Sequence, residues 1–114
     1  MMAQMQYTIS YYSEAVQADI LALPEGLQGR YIALTERMRV SGANLGEPHS
    51  SSMGNGLLEL RLKSHEGIAR VMYCTMVGQR VVMLHSFIKK TQKTPMADLA
   101  LARKRLLEVK HAQP

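Results

Sequence analysis

Leu57-Leu58-Glu59-Leu60-Arg61-Leu62-Lys63 is the stretch whose reading decides the fold. Leu58, Leu60 and Leu62 alternate with Glu59, Arg61 and Lys63. A strand sends successive side chains to opposite faces, so this spacing predicts a β-strand with one apolar and one charged face. Towards the C-terminus, Ile68 to Val77 and Arg80 to Ile88 supply two further strands of β-branched and apolar residues. Gly67 and the pair Gly78-Gln79 stand at the joints, where tight connections are needed, so the three strands are expected to form an antiparallel meander.

Towards the N-terminus, residues 42 to 56 combine turn formers with no apolar period and read as the longest irregular stretch. It fits a mobile surface connection or a loop bordering a groove. Before it, Leu27, Tyr31, Leu34 and Met38 step by four, three and four, which places them on one face of a helix that Gly42 stops. Val16, Ile20 and Leu23 mark a shorter helix capped by Ser13 and ended by Pro24, and the two are expected to form a hairpin. Tyr7, Ile9 and Tyr11 alternate with polar residues and predict a first strand over Gln6 to Tyr12. At the other end Thr94 is placed to cap a last helix with Pro95 at its first position, and Leu99, Ala102, Leu106 and Val109 line its apolar face opposite Arg103, Lys104 and Arg105. The expected order is β-α-α-β-β-β-α, an α+β domain spanning residues 1–114.

The net charge of +5 is unevenly spread. Residues 1–56 hold three Lys/Arg against five Asp/Glu, whereas residues 57–114 hold eleven against four. A basic half of this kind suits a polyanion, whose counterions it releases on binding, although solubility alone also accounts for basic composition. The single Cys74 excludes an intramolecular disulfide, and no Cys/His spacing suits a structural zinc, so no metal or other cofactor is expected. No basic-then-apolar leader and no run of eighteen apolar residues is present, and a cytoplasmic protein without membrane attachment is the expectation.

Strand parity selects the candidate chemistry. Glu59, Arg61 and Lys63 share a face, and Arg70 on the next strand joins them if it points the same way. A cationic surface with one carboxylate can hold a phosphodiester while a 2′-hydroxyl attacks it. Arginine suits the crowded negative phosphorane because its planar fork makes paired bonds to phosphate oxygens. The same spacing equally describes a solvated strand face with Glu59 paired to a neighbouring arginine. His85, in an otherwise apolar strand, reads as a core or edge histidine or as an RNA contact, and Cys74 as a small core residue. Phe87-Ile88-Lys89-Lys90-Thr91-Gln92-Lys93-Thr94-Pro95 places three lysines between a strand and a helix start, a composition suited to backbone phosphate.

These residues carry a resemblance. Leu57 to Arg61, Arg70-Val71-Met72-Tyr73, Leu84 to Pro95 and Ala102-Arg103 resemble, in order and spacing, the phage-related HigB-like branch of the RelE/ParE toxins. The resemblance implies a RelE-like fold, with a helix hairpin packed on a curved antiparallel sheet and a C-terminal helix. It implies the toxin of a type II toxin–antitoxin pair: a ribosome-dependent, metal-independent mRNA endonuclease acting in the ribosomal A site, with a helix-turn-helix antitoxin as partner. Catalytic roles would fall to Arg61, Arg70, Lys90 and Glu59, and RNA contacts to Lys63, Phe87, Lys89, Lys93 and His85. The same superfamily includes ParE-like toxins that inhibit DNA gyrase without RNA chemistry, and a prophage remnant that only binds an antitoxin would share the sequence pattern. The chain departs from RelE in carrying Glu59 and Arg61 where two lysines are usual, in having Ala69 where an aromatic often precedes the arginine, and in lacking a C-terminal tyrosine.

Overall fold

The computed structural model describes residues 6–91, 93 and 95–112. Its elements are β1 (Thr8–Tyr11), α1 (Glu14–Leu21), α2 (Glu25–Ser41), β2 (Ser50–Gly54), β3 (Leu57–Ser64), β4 (Gly67–Met76), β5 (Arg80–Ile88) and α3 (Met96–Ala112). The strands make one sheet in the order β1-β5-β4-β3-β2. The meander β3-β4-β5 is antiparallel as its turns predict, but β1 lies parallel to β5, from Thr8 opposite Arg80 to Tyr11 opposite Met83. The sheet is therefore mixed rather than antiparallel throughout. The reason lies in the chain path: the helix pair carries the chain from β1 to β2 at the opposite edge, and the antiparallel run β2-β3-β4-β5 returns across the sheet so that β5 ends beside β1 and runs the same way.

Helices pack on both faces of the sheet. On one, Leu60, Leu62, Ala69, Val71, Tyr73, Val81 and Met83 meet Val16 and Ile20 of α1 and Leu27, Tyr31, Leu34 and Met38 of α2. On the other, Leu57, Met72, Cys74, Val82 and Leu84 meet Ala102 and Leu106 of α3. The apolar side of the deciding strand thus faces the helix pair, where burying each leucine stabilises by about 2 kcal/mol. Ser13 caps α1 by accepting from the Val16 N–H (3.2 Å), and Gly42 ends α2 at a positive φ of 108° that a side chain would strain. Tyr73 belongs to this core: its hydroxyl donates to the Ala43 carbonyl at 2.7 Å, and burial pushes its pKa up to about 12. Cys74 is fully buried on the α3 side, where burial raises the thiol pKa, in keeping with a core residue.

The expected cap Thr94 and the neighbouring Gln92 lie outside the described residues. Two boundaries differ from the sequence reading. The first strand is shorter than Gln6 to Tyr12, and the stretch from 42 to 56 is not irregular throughout, since Ser50–Gly54 pairs with β3. Asn55 and Gly56, both at positive φ, make the two-residue turn between them. The rest of that stretch is tied to one buried hydroxyl. Ser50 Oγ accepts from the Leu45 and Gly46 N–H groups at 2.8 and 3.1 Å and donates to Asn44 Oδ1 at 2.9 Å. Ser50→Ala strands these groups and is expected to lower unfolding free energy by about 2 kcal/mol, measured by urea denaturation with far-UV circular dichroism; a change under about 0.5 kcal/mol, the scale of neutral surface substitutions, would show the loop to be held otherwise.

Candidate nucleic-acid interface

Sheet register brings the charged residues into rows on the α3 side. One row runs Ser51, Glu59, Met72, His85; the next runs Arg61, Arg70, Phe87; the third pairs Lys63 with Ile68. Arg61 and Arg70 are directly opposite each other, a like-charge pairing that by itself destabilises a sheet. Glu59 resolves it. Its side chain is 5% exposed and lies between them, with Oε2 3.3 Å from Arg61 Nε and Oε1 3.1 Å from Arg70 Nε. The Arg70 contact is an ion pair off the hydrogen-bonding angle; Coulomb attraction needs only proximity. Arg61 also donates to Ser51 Oγ at 3.1 Å and to Glu47, so two carboxylates flank it. Both oxygens of Glu59 face guanidinium groups, which suits a neutralising strut better than a general base.

Two open clefts of about 370 Å³ each meet at Arg70 and Ile68. One is completed by Lys89, Lys90 and Thr91, the other by Arg30, Pro48, His49, Arg61 and Lys63. They form a trough with Arg70 at its centre. Lys89 is placed there because its N–H donates to the Ile68 carbonyl at 2.8 Å, which carries the ladder past the end of β5. Among the expected residues, the trough unites Arg61, Lys63, Arg70, Lys89 and Lys90 above the buried Glu59. Lys93 stands apart on an exposed turn whose Thr91 hydroxyl donates to the Lys93 carbonyl at 2.9 Å. Arg30 on α2, and His49 with Pro48 in the loop before β2, are the lining residues that the alternation of β3 could not reveal. Among the described residues no three His, Cys, Asp or Glu side chains converge as a metal site requires.

His85 and Phe87 share the face but sit outside the clefts. Unbroken alternation would have sent His85 to the helix-pair side with Val81 and Met83. Instead β5 carries one extra residue, Leu84, between the pairs His85–Met72 and Met83–Tyr73, and this bulge turns His85 over. There His85 Nε2 lies 2.5 Å from Asp98 Oδ1 on the first turn of α3, and its ring stacks on Phe87 with centroids 5.8 Å apart. Arg105 holds the bulge by donating to the Leu84 carbonyl at 2.8 Å while its guanidinium lies 4.8 Å above Tyr12. Arg103 likewise donates to the Met53 carbonyl at 2.6 Å. These two arginines are therefore not the solvated back of α3, as helical spacing suggests; their long stems carry the charge round to sheet carbonyls. Position 69 faces the helix pair, so an aromatic there would enter the core rather than stack on a ligand.

A further cavity of about 510 Å³ lies elsewhere, between β1 and the C-terminal end of α3, lined by Tyr11, Tyr12, Arg80 and Glu108 among others. It lacks the convergent cations of the trough. Arg105→Ala should release the bulge, lowering stability by about 2 kcal/mol, the scale of a charged hydrogen bond, and shifting the His85 ring resonances in proton NMR spectra. The exposed Lys104→Ala serves as the neutral comparison, and unchanged His85 signals in Arg105→Ala would remove the bulge from the account.

No helix among the described residues is long and apolar enough to cross a membrane. No curated protein matches the chain. The family model described as "Phage derived protein Gp49-like (DUF891)" matches residues 18–107, a span that holds every residue of the trough, the C-terminal half of α1, all of α2, and α3 as far as Leu107. With most of its length matched, the chain belongs to this Gp49-like phage-derived family, which is a RelE/ParE-like toxin family.

Proposed function

We propose that the protein is the toxin of a type II toxin–antitoxin pair and that it cleaves messenger RNA in the ribosomal A site without a metal ion, in the manner of the HigB-like branch. The observation that carries this reading is the meeting of two cation-lined clefts at Arg70. Family membership supports the toxin assignment. A phosphodiester laid along the trough puts its scissile phosphate on Arg70, with a nucleotide to either side. The 2′-hydroxyl loses its proton to solvent water in the open trough as it attacks phosphorus, and Arg70 stabilises the pentavalent dianion, aided by Arg61. The bond to the 5′-oxygen then breaks, and that oxygen takes its proton from a lysine, Lys90 being the exposed candidate beside Arg70. Glu59 contributes by keeping two arginines on adjacent strands. A helix-turn-helix antitoxin would silence the toxin in the cytoplasm.

Arg70→Ala and Lys90→Ala should each relieve growth arrest on expression. Each should also lower codon-proximal cleavage of a reporter transcript in a ribosome-containing reaction, by about 100-fold for Arg70, the scale of one lost oxyanion donor. Circular dichroism checks that both variants fold. Undiminished toxicity and cleavage in both would sink the nuclease reading. Replication arrest with intact transcripts would transfer the protein to the gyrase-inhibiting type.

A further inference from the structure

The far end of the trough has no role in the scheme above, yet it is built. Arg30 extends from α2, whose core stripe of Leu27, Tyr31 and Leu34 leaves it exposed at the cleft. His49 is fixed by its backbone: its N–H donates to the Gly46 carbonyl at 3.0 Å, and its carbonyl accepts from the Arg61 N–H at 2.8 Å. Pro48 precedes it and lines the same wall. The cleft thus sets an imidazole, a pyrrolidine ring and a guanidinium plane beside the cations Arg61 and Lys63. The imidazole and guanidinium offer flat faces that take a nucleobase, with the pyrrolidine ring as an apolar wall beside them, and the cations take its phosphate. The volume, about 370 Å³, lies within the roughly 300–1,000 Å³ of small-ligand pockets.

We infer that Arg30, Pro48 and His49 form a second nucleotide subsite for single-stranded RNA, holding the nucleotide on the opposite side of Arg70 from Lys89 and Lys90. The inference rests on the RNA reading of the trough. In that arrangement Arg70 marks the phosphodiester between two seated nucleotides. The subsite positions the strand and takes no part in bond breaking. It is also where a stacking surface lies on this face, since position 69 points into the core. The loop that Ser50 organises is then the wall of a binding site, which explains why a segment of turn-forming residues is so closely hydrogen-bonded.

The test is equilibrium binding of a labelled single-stranded 2′-O-methyl oligoribonucleotide to the full chain, read by fluorescence anisotropy across a salt series. The 2′-O-methyl group removes the attacking hydroxyl, so binding is read without cleavage. Arg30→Ala and His49→Ala should each weaken binding by about 5-fold or more, the low end of a lost stacking contact. Lys63→Ala should make the log–log salt slope shallower by about 0.7, the value for one phosphate contact to a single strand. His111→Ala, on the exposed end of α3, should bind as the parent does, and thermal melts should show all variants folded. If Arg70→Ala weakens binding but Arg30→Ala and His49→Ala do not, the subsite is wrong and the trough stands. If Arg70→Ala also binds like the parent, or the parent itself does not bind, the trough does not hold a free strand and the subsite falls, while the ribosome-containing cleavage reaction decides the nuclease reading separately.

Discussion

Glu59 is a carboxylate buried between two guanidinium groups, and the organisation of the charged face follows from it. Register places Arg61 and Arg70 directly opposite each other on β3 and β4, where two positive charges would repel. A buried acid between them turns that repulsion into a three-centre arrangement. Burying the carboxylate is itself costly, and the two arginines offset much of the loss of water. Each member therefore needs the others: without the acid the arginines repel, and without the arginines the acid is stranded. Arg70, at 12% side-chain exposure, is held firmly, whereas Arg61, at 33%, reaches further out to Ser51 and Glu47. A rigid central cation with a looser one beside it is a reasonable construction for gripping a phosphate and following its change of shape.

The fold supplies the conditions for this pairing. Helices α1 and α2 cover one face of the sheet, and α3 covers only part of the other, so the rows nearest α3 are buried while those towards Lys63 and Lys89 open to solvent. The exposure gradient runs along β3 itself, from fully buried Leu57 through Glu59 and Arg61 to exposed Lys63. Helix α3 is tied down by charge as well as by packing. Arg103, Arg105 and Lys110 all donate to carbonyls of the sheet or its turns, and the Arg105 bond falls on the extra residue of the β5 bulge. The bulge in turn presents His85 to Asp98. Basic residues in the second half of the chain thus line the open trough and also tie α3 to the protein's own backbone.

The alternation of β3 was enough to reveal the charged face and its members, because a strand's period of two admits a single reading. The meander, the Ser13 cap, the Gly42 stop and the apolar face of α3 were legible for similarly local reasons. What escaped depends on distant partners. Ser50-Ser51-Ser52 has no apolar alternation and becomes a strand only because β3 offers an edge, although Asn55-Gly56 was a hairpin signal in plain view. The parallel pairing of β1 is with β5, the last strand of the chain, so no local signal announces it. The side of the sheet that His85 faces depends on a one-residue bulge, which no periodicity announces. Arg30 reaches the trough by the docking of α2, so nothing in its helical neighbours marks it. Glu59 was visible as a charged strand residue, but its burial was not, since that requires Arg70 to arrive from β4.

A double-mutant cycle between Glu59→Gln and Arg70→Met, read by urea unfolding of the four proteins, tests the central claim most directly. If the buried acid holds the arginine pair, each single substitution strands a partner, and the double variant loses less than the two singles together. The expected coupling is about 1–3 kcal/mol, the range for residues sharing one charge network. Additivity to within about 0.3 kcal/mol, as found for independent sites, would mean that Glu59 and Arg70 do not depend on each other, and the account of the charged face would fail.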